Sequence, residues 1–218
     1  MVIAHRVTDR PALLAGFAAE AKIARRSGWP VATGAGTSDG AASAVRGLID
    51  AGATGLVSFG LAGGLDRALR AGTVIIAGAV MVHSRVWRTD PMLTARLGGS
   101  TGHVGLSVDR VIASGAEKIR LGLETGAAFT DMESGVVAIA ADAACLPFAV
   151  LRVICDAAST DLPPAALVAL DPRGRISPFR ILGSISRHPG QIGALLDLAR
   201  DAAVAKRALR AAAERLRG

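Results

Sequence analysis

Phe129-Thr130-Asp131-Met132-Glu133-Ser134 opens the stretch on which the fold turns, and Phe148-Ala149-Val150-Leu151-Arg152-Val153-Ile154-Cys155-Asp156-Ala157-Ala158-Ser159 closes it. Between them, Ser134 to Ala144 keeps apolar residues at helical spacing and has no glycine after Gly135, which predicts a three-turn helix. Phe148 to Ile154 reads as a buried strand. A helix that starts at Glu133 and returns through a strand ending at Ile154 puts Glu133 and Asp156 on one edge of a sheet, where open α/β folds bind ligands.

The same alternation extends outward. Toward the N-terminus it predicts a strand at Ala12 to Phe17, a helix at Ala18 to Arg26, a strand at Val31 to Thr33, a helix at Ala41 to Ala51 and a strand at Thr54 to Phe59. The second and third strands each run into a glycine-rich turn, Gly34 to Gly40 and Gly60 to Gly64. Thr73 to His83 reads as one long strand, Ser84 to Arg96 as a polar, basic stretch, Val104 to Val108 and Ala127 to Thr130 as strands, and Glu117 to Thr125 as a helix. Beyond the opening stretch, Leu162 to Pro178 is an excursion punctuated by proline and glycine, and Gln191 to Gly218 is a closing helix. Met1 to Arg10 reads as a loose leader. The expectation is one α/β domain over residues 1–218, a mostly parallel twisted sheet flanked by helices.

Composition narrows the chemistry. With 218 residues, 51% apolar, the chain is long enough to bury a core. Its formal charge of +7 favours an anionic partner, but the basic residues form no block and only 3% of residues are aromatic, so nucleic acid is not expected. Cys145 and Cys155 lack metal or redox spacing and read as reduced core residues of a cytoplasmic protein. His5, His83, His103 and His188 match no metal pattern, and no metal or cofactor is expected. No apolar run reaches membrane-spanning length. Arg6, Arg10 and Ala19-Glu20-Ala21 imitate a secretory leader, but a first buried strand explains the same residues. Gly34, Gly36 and Gly40 imitate a dinucleotide fingerprint, yet a chain without tyrosine lacks the residue a short-chain dehydrogenase needs.

Gly-Leu-Ala-Gly-Gly-Leu at 60 to 65, Asp-Met-Glu-Ser at 131 to 134 and Val-Ile-Cys-Asp-Ala-Ala at 153 to 158 occur together in an order that resembles the nucleoside phosphorylase and methylthioadenosine/S-adenosylhomocysteine nucleosidase superfamily. Within it the chain is similar to the hopanoid-associated phosphorylases, with Pro163-Pro164-Ala165-Ala166-Leu167 and Arg187-His188-Pro189-Gly190 carrying that likeness. The resemblance implies release of adenine from a 5′-substituted adenosine, adenosylhopane first among them, or, as the alternative, a water-using nucleosidase acting on a small nucleoside. A non-catalytic nucleoside- or lipid-binding module is the third reading.

By the same resemblance Asp156 protonates the leaving purine, Glu133 holds the ribose hydroxyls, Met132 packs on the sugar, and Gly60, Ala62 and Gly63 approach the substrate through bare backbone. Val111 takes the place of an aromatic base-stacking residue, with Ile112 at the base edge. Breaking an N-glycosidic bond passes through an oxocarbenium-like state, which a carboxylate stabilises, and a purine leaves readily only once protonated. For Asp156 this calls for an apolar surround such as Val153, Ile154 and Ala157. Glu20 lies where the nucleosidases place the carboxylate that activates water. The phosphorylases instead grip phosphate with basic residues; here Ser58 and Leu61 occupy two expected phosphate positions, leaving Gly36, Lys22 and Arg25 as candidates should phosphate be the co-substrate. A lipid-linked substrate would need an apolar lid, read at Leu162 to Leu170, and the basic amphipathic closing helix is a candidate for peripheral contact with the inner face of the membrane. A homo-oligomer is expected.

Overall fold

The ten residues Gly55–Gly64 form the strand to which the rest of the sheet is joined. In the computed structural model, residues 10–167 and 189–217 are described. The expected leader lies outside the described residues except for Arg10, as do 168–178 of the excursion and Arg187-His188. In chain order the elements are β1 Pro11–Ala15, α1 Ala18–Ala24, β2 Val31–Thr33, α2 Ser38–Asp50, β3 Gly55–Gly64, β4 Val74–Ile76, β5 Ala79–Val82, β6 Arg85–Arg88 and α3 Pro91–Arg96. They continue with β7 Val104–Ser107, α4 Gly115–Thr125, β8 Phe129–Asp131, α5 Ser134–Ala143, β9 Phe148–Asp156, α6 Pro164–Leu167 and α7 Ile192–Arg215.

The strands make one mixed, mostly parallel sheet in the order β2-β1-β3-β8-β7-β5-β6. β9 pairs with β3 and with β4. Along one edge β3 pairs in parallel with β9, Leu56 to Gly63 against Phe148 to Asp156. Its other edge serves two partners: β1 runs parallel to Gly55–Ser58, and β8 meets Gly63 and Gly64 antiparallel. That crossing turns the chain after Asp131 back toward the middle of β9, so Glu133 comes to Arg152 rather than to the strand end that carries Asp156. The expected shared sheet edge is therefore corrected to two depths along one strand.

Two further expectations change. The apolar run at 73–83 is broken at Ala77-Gly78, because its first part pairs antiparallel with β9 while its second pairs parallel with β7. The polar stretch after it forms β6, an antiparallel partner of β5 across His83, whose φ of 53° makes the turn. Gly60 to Gly64 is strand rather than turn, and none of its glycines has positive φ. Their use is the missing Cβ: one added at Gly60 would lie 2.6 Å from Nη1 of Arg152 and 2.8 Å from Oε1 of Glu20.

Burial on both sides of the sheet explains the apolar strands. Val45 and Leu48 of α2 and Val137, Ala138 and Ala141 of α5 join one cluster; Ile23 of α1, Leu93 of α3 and Leu209, Ala212 and Ala213 of α7 join the other. The apolar face of α7 read as a membrane face is thus divided. Leu209, Ala213 and Leu216 are buried in the core, while Leu195, Ala199 and Ala202 line a cavity.

Leu209 is fully buried, so Leu209→Ala should destabilise the chain by about 2–5 kcal/mol through lost transfer energy and the cavity left behind. Urea unfolding checks it; a change within 0.5 kcal/mol would mean that α7 does not dock as described.

Candidate active site

Gly16 follows β1, and two carboxylates meet in the space its missing side chain leaves. A Cβ there would stand 2.5 Å from Oε1 of Glu133 and 3.2 Å from Oε2 of Glu20. Glu20 occupies the first turn of α1, where an acid suits the helix dipole, and its Oε2 accepts from the Phe17 N–H at 2.8 Å. Its Oε1 accepts from the Leu61 N–H at 2.7 Å, tying α1 to β3. Burial pushes the Glu20 carboxyl up, against the opposing pull of Arg152 and these backbone donors.

Behind the pair stands Arg152, fully buried in the middle of β9. Its Nε donates to Oδ2 of Asp131 at 3.0 Å, Nη2 to Oγ of Ser58 at 2.7 Å and to Oε2 of Glu133 at 3.3 Å, and Nη1 to the Leu61 carbonyl at 3.5 Å. Asp131 also accepts from the N–H groups of Glu133 (3.0 Å) and Ser134 (2.7 Å), fixing the start of α5 and the position of Glu133. Burial raises the Glu133 carboxyl to about 7; Arg152 opposes the rise, while Glu20 and Asp131 add to it. Ser58, at an expected phosphate position, is itself buried and committed to the guanidinium.

At the end of β9, Asp156 is held by an ion pair from Nζ of Lys118, a lysine only 1% exposed. Nζ also donates to the Thr160 carbonyl at 2.8 Å. Burial raises the Asp156 carboxyl, Lys118 pulls it down, and Asp201 of α7 raises it. The expected apolar surround is therefore supplemented by a buried cation. Cys155 beside it is an inert thiol, pushed up to about 12 by burial and by Asp156.

Glu20, Ala62, Gly63, Val111, Ile112, Met132, Glu133 and Asp156 all line one cavity of about 540 Å³. Its outer wall is apolar: Leu162, Ala165 and Ala166 on one side, Leu195, Leu198 and Ala199 of α7 on the other. Gly60 lies behind it, leaving room for Arg152 and Glu20. The phosphate candidates fall elsewhere. Lys22 and Arg25 are exposed and outside the lining, and Gly36 seats the ring of Phe17, which would come within 2.3 Å of a Cβ. Of the expected lid, Leu162 lines the cavity, whereas 168–170 lie outside the described residues. Among the described residues no cluster of metal-capable side chains occurs.

Sequence reasoning missed Arg152 and Lys118. Both left a trace. A lone arginine in an apolar run of strand length must be buried and paired. Lys118 shares an inward helical stripe with Gly115 and Gly122, which press on the Ser159 and Leu65 backbones and leave room for a long side chain.

A sequence profile described as the Phosphorylase superfamily matches residues 103–172, the part that carries Lys118, Glu133, Arg152 and Asp156. No curated protein matches the chain in sequence. Among solved structures, futalosine hydrolase of Helicobacter pylori superposes with a TM-score of 0.65 at 17% identity, over 82% of this chain and 97% of that one. The 5′-methylthioadenosine/S-adenosylhomocysteine nucleosidase of the same species, in complex with butyl-thio-DADMe-Immucillin-A, gives 0.63 at 15% identity, over 95% and 98%. An aspartate-to-asparagine mutant of that nucleosidase, with 5′-methylthioadenosine in the active site, gives 0.65 at 17% identity, over 93% and 97%. At these identities the likeness establishes the fold.

The raised Glu133 carboxyl makes stability depend on pH. A folded-state value of about 7, above the usual 4.5, means that its contribution is complete below pH 4.5 and is lost as pH rises through 7. Glu133→Gln should therefore leave the urea midpoint at pH 5 near wild type and raise stability at pH 8 by ~1–3 kcal/mol. A difference between the two proteins that does not change with pH would contradict this assignment.

Proposed function

We propose that the chain hydrolyses the N-glycosidic bond of an adenosine carrying an apolar 5′ substituent, with adenosylhopane the substrate that the sequence resemblance implies. The observation that carries this reading is the convergence of the Glu20 and Glu133 carboxylates on Gly16, with the nearest guanidinium already committed to protein acceptors. Phosphate brought there would face two carboxylates, with the guanidinium behind them already committed to protein acceptors, so water suits the place better.

The chemistry follows from the arrangement. Asp156 gives its proton to N7 of the purine, the electron pair of the glycosidic bond passes to the base, and positive charge gathers on the ribose. Glu133 holds the ribose hydroxyls and stabilises that charge. Glu20 accepts a proton from the water that attacks the anomeric carbon. Met132 packs on the sugar, and Val111 and Ile112 hold the base by aliphatic contact. The apolar wall of Leu162, Ala165, Leu195 and Leu198 takes the 5′ substituent. That a related fold holds a butyl-thio inhibitor is consistent with a 5′ substituent in such a cavity. Exposed Ile192 and Leu196, on the turns of α7 that carry Leu195, support delivery of a lipid tail from a membrane surface.

Adenine release from methylthioadenosine and from adenosines bearing longer 5′-alkylthio chains tests the reading. Turnover is expected from the whole series, with kcat/KM rising with chain length. Asp156→Asn and Glu20→Gln should each lower kcat by roughly 10²- to 10⁴-fold. Near wild-type turnover by Asp156→Asn would remove the acid assignment, and intact nucleoside binding without any release would leave a binding module in place of an enzyme.

A further inference from the structure

The buried ion pair at the far end of β9 sits where the proposed acid must work. Lys118 reaches Asp156 from α4, with its ammonium group removed from water and its side chain 1% exposed. The same Nζ donates to the Thr160 carbonyl, so one lysine grips both the acid and the turn that follows it. That turn is pinned from the same helix: the Gly115 N–H donates to Oδ1 of Asp161 at 2.7 Å, and a Cβ at Gly115 would stand 2.8 Å from the Ser159 carbonyl. Lys118 does not line the cavity, whereas Asp156 does.

We propose that Lys118 is a positioning residue for the leaving-group acid: it fixes the Asp156 carboxyl from behind and stabilises the anion that Asp156 becomes once its proton has passed to the purine. The inference rests on the hydrolase reading above. In the step, the O–H bond of Asp156 breaks, an N–H bond forms at N7, and the glycosidic electron pair leaves with the base. Purine nitrogen is weakly basic, so the donor has to hold its proton beforehand and yet be a stable anion afterwards. Burial supplies the first condition and Lys118 the second. Among the described residues, the other charged or titratable groups around Asp156 are Asp201 of α7, the adjoining Cys155 with Lys206 close to that thiol, and Asp161 of the following turn; β3 and β8 bring Gly63 and Thr130. Lys118 is thus the cation hydrogen-bonded to the carboxylate, while Lys206 lies on the cavity wall.

Two leaving groups separate this role from a structural one. Adenine needs protonation to depart; 4-nitrophenolate does not. Full-length wild type and Lys118→Met are compared on methylthioadenosine and on 4-nitrophenyl riboside. The variant should lose roughly 10- to 100-fold in kcat on methylthioadenosine and stay within about 3-fold of wild type on the nitrophenyl riboside, a leaving group outside general-acid help. Removing a cation that pulls the Asp156 carboxyl down also moves the alkaline limb of the methylthioadenosine kcat profile to higher pH. Lys118→Arg keeps the charge and should keep that limb in place; it carries the test alone if the methionine variant fails to fold. Equal losses on both substrates, an unchanged methylthioadenosine rate in Lys118→Met, or a limb that moves in Lys118→Arg would overturn the proposal. Wild type that cleaves neither probe would instead overturn the hydrolase reading beneath it.

Discussion

A guanidinium buried in the middle of a sheet sets the terms for the rest of this structure. Arg152 has exchanged water for Asp131, Glu133, Ser58 and a backbone carbonyl, and a buried charge is tolerated only with such partners. Neighbouring elements are built to admit it. β3 supplies Ser58 and then Gly60, where a methyl group would collide with the guanidinium. β8 turns antiparallel across the end of β3 and so delivers Asp131 and Glu133 to the same point. Gly16, at the end of β1, leaves the gap in which Glu133 meets Glu20.

Charge balance then ties this frame to chemistry. One cation faces Asp131, Glu133 and Glu20, and both glutamates are raised by burial. On the proposed reading, this end of the cavity suits hydroxyls and water better than a further anion. A second buried pair, Lys118 with Asp156, works at the other end. Four positions along β9 separate the two systems, about 13 Å of backbone at ~3.3 Å per residue. Residues of α6 and α7 close the cavity with an apolar wall.

Much of this was legible in the sequence, and the misses have physical causes. Alternating apolar runs and helical stripes predicted β1, β2, α2, β7, α4, α5 and β9 within a few residues, because a sheet covered on both faces makes its strands near-continuously apolar. The same continuity hid the break at Ala77-Gly78, since an apolar run does not say which neighbour each half will pair with. Glycines at 60 to 64 read as a turn because glycine permits positive φ, whereas here they are strand positions kept small for side chains from elsewhere. Glu133 and Asp156 came from motifs and Glu20 from its place after the first strand; Arg152 and Lys118 did not, since their partners lie far away in the chain and only the fold brings them together.

The identity of the nucleophile separates water from phosphate at this site most directly. Turnover of methylthioadenosine with inorganic phosphate present reports it through the group attached to the anomeric carbon of the released sugar. Free sugar as the first product, with no sugar 1-phosphate formed, is the predicted outcome. A sugar 1-phosphate would contradict the assignment of Glu20 and Glu133 to a water site, and with it the reading of Arg152 as a charge already spent within the protein.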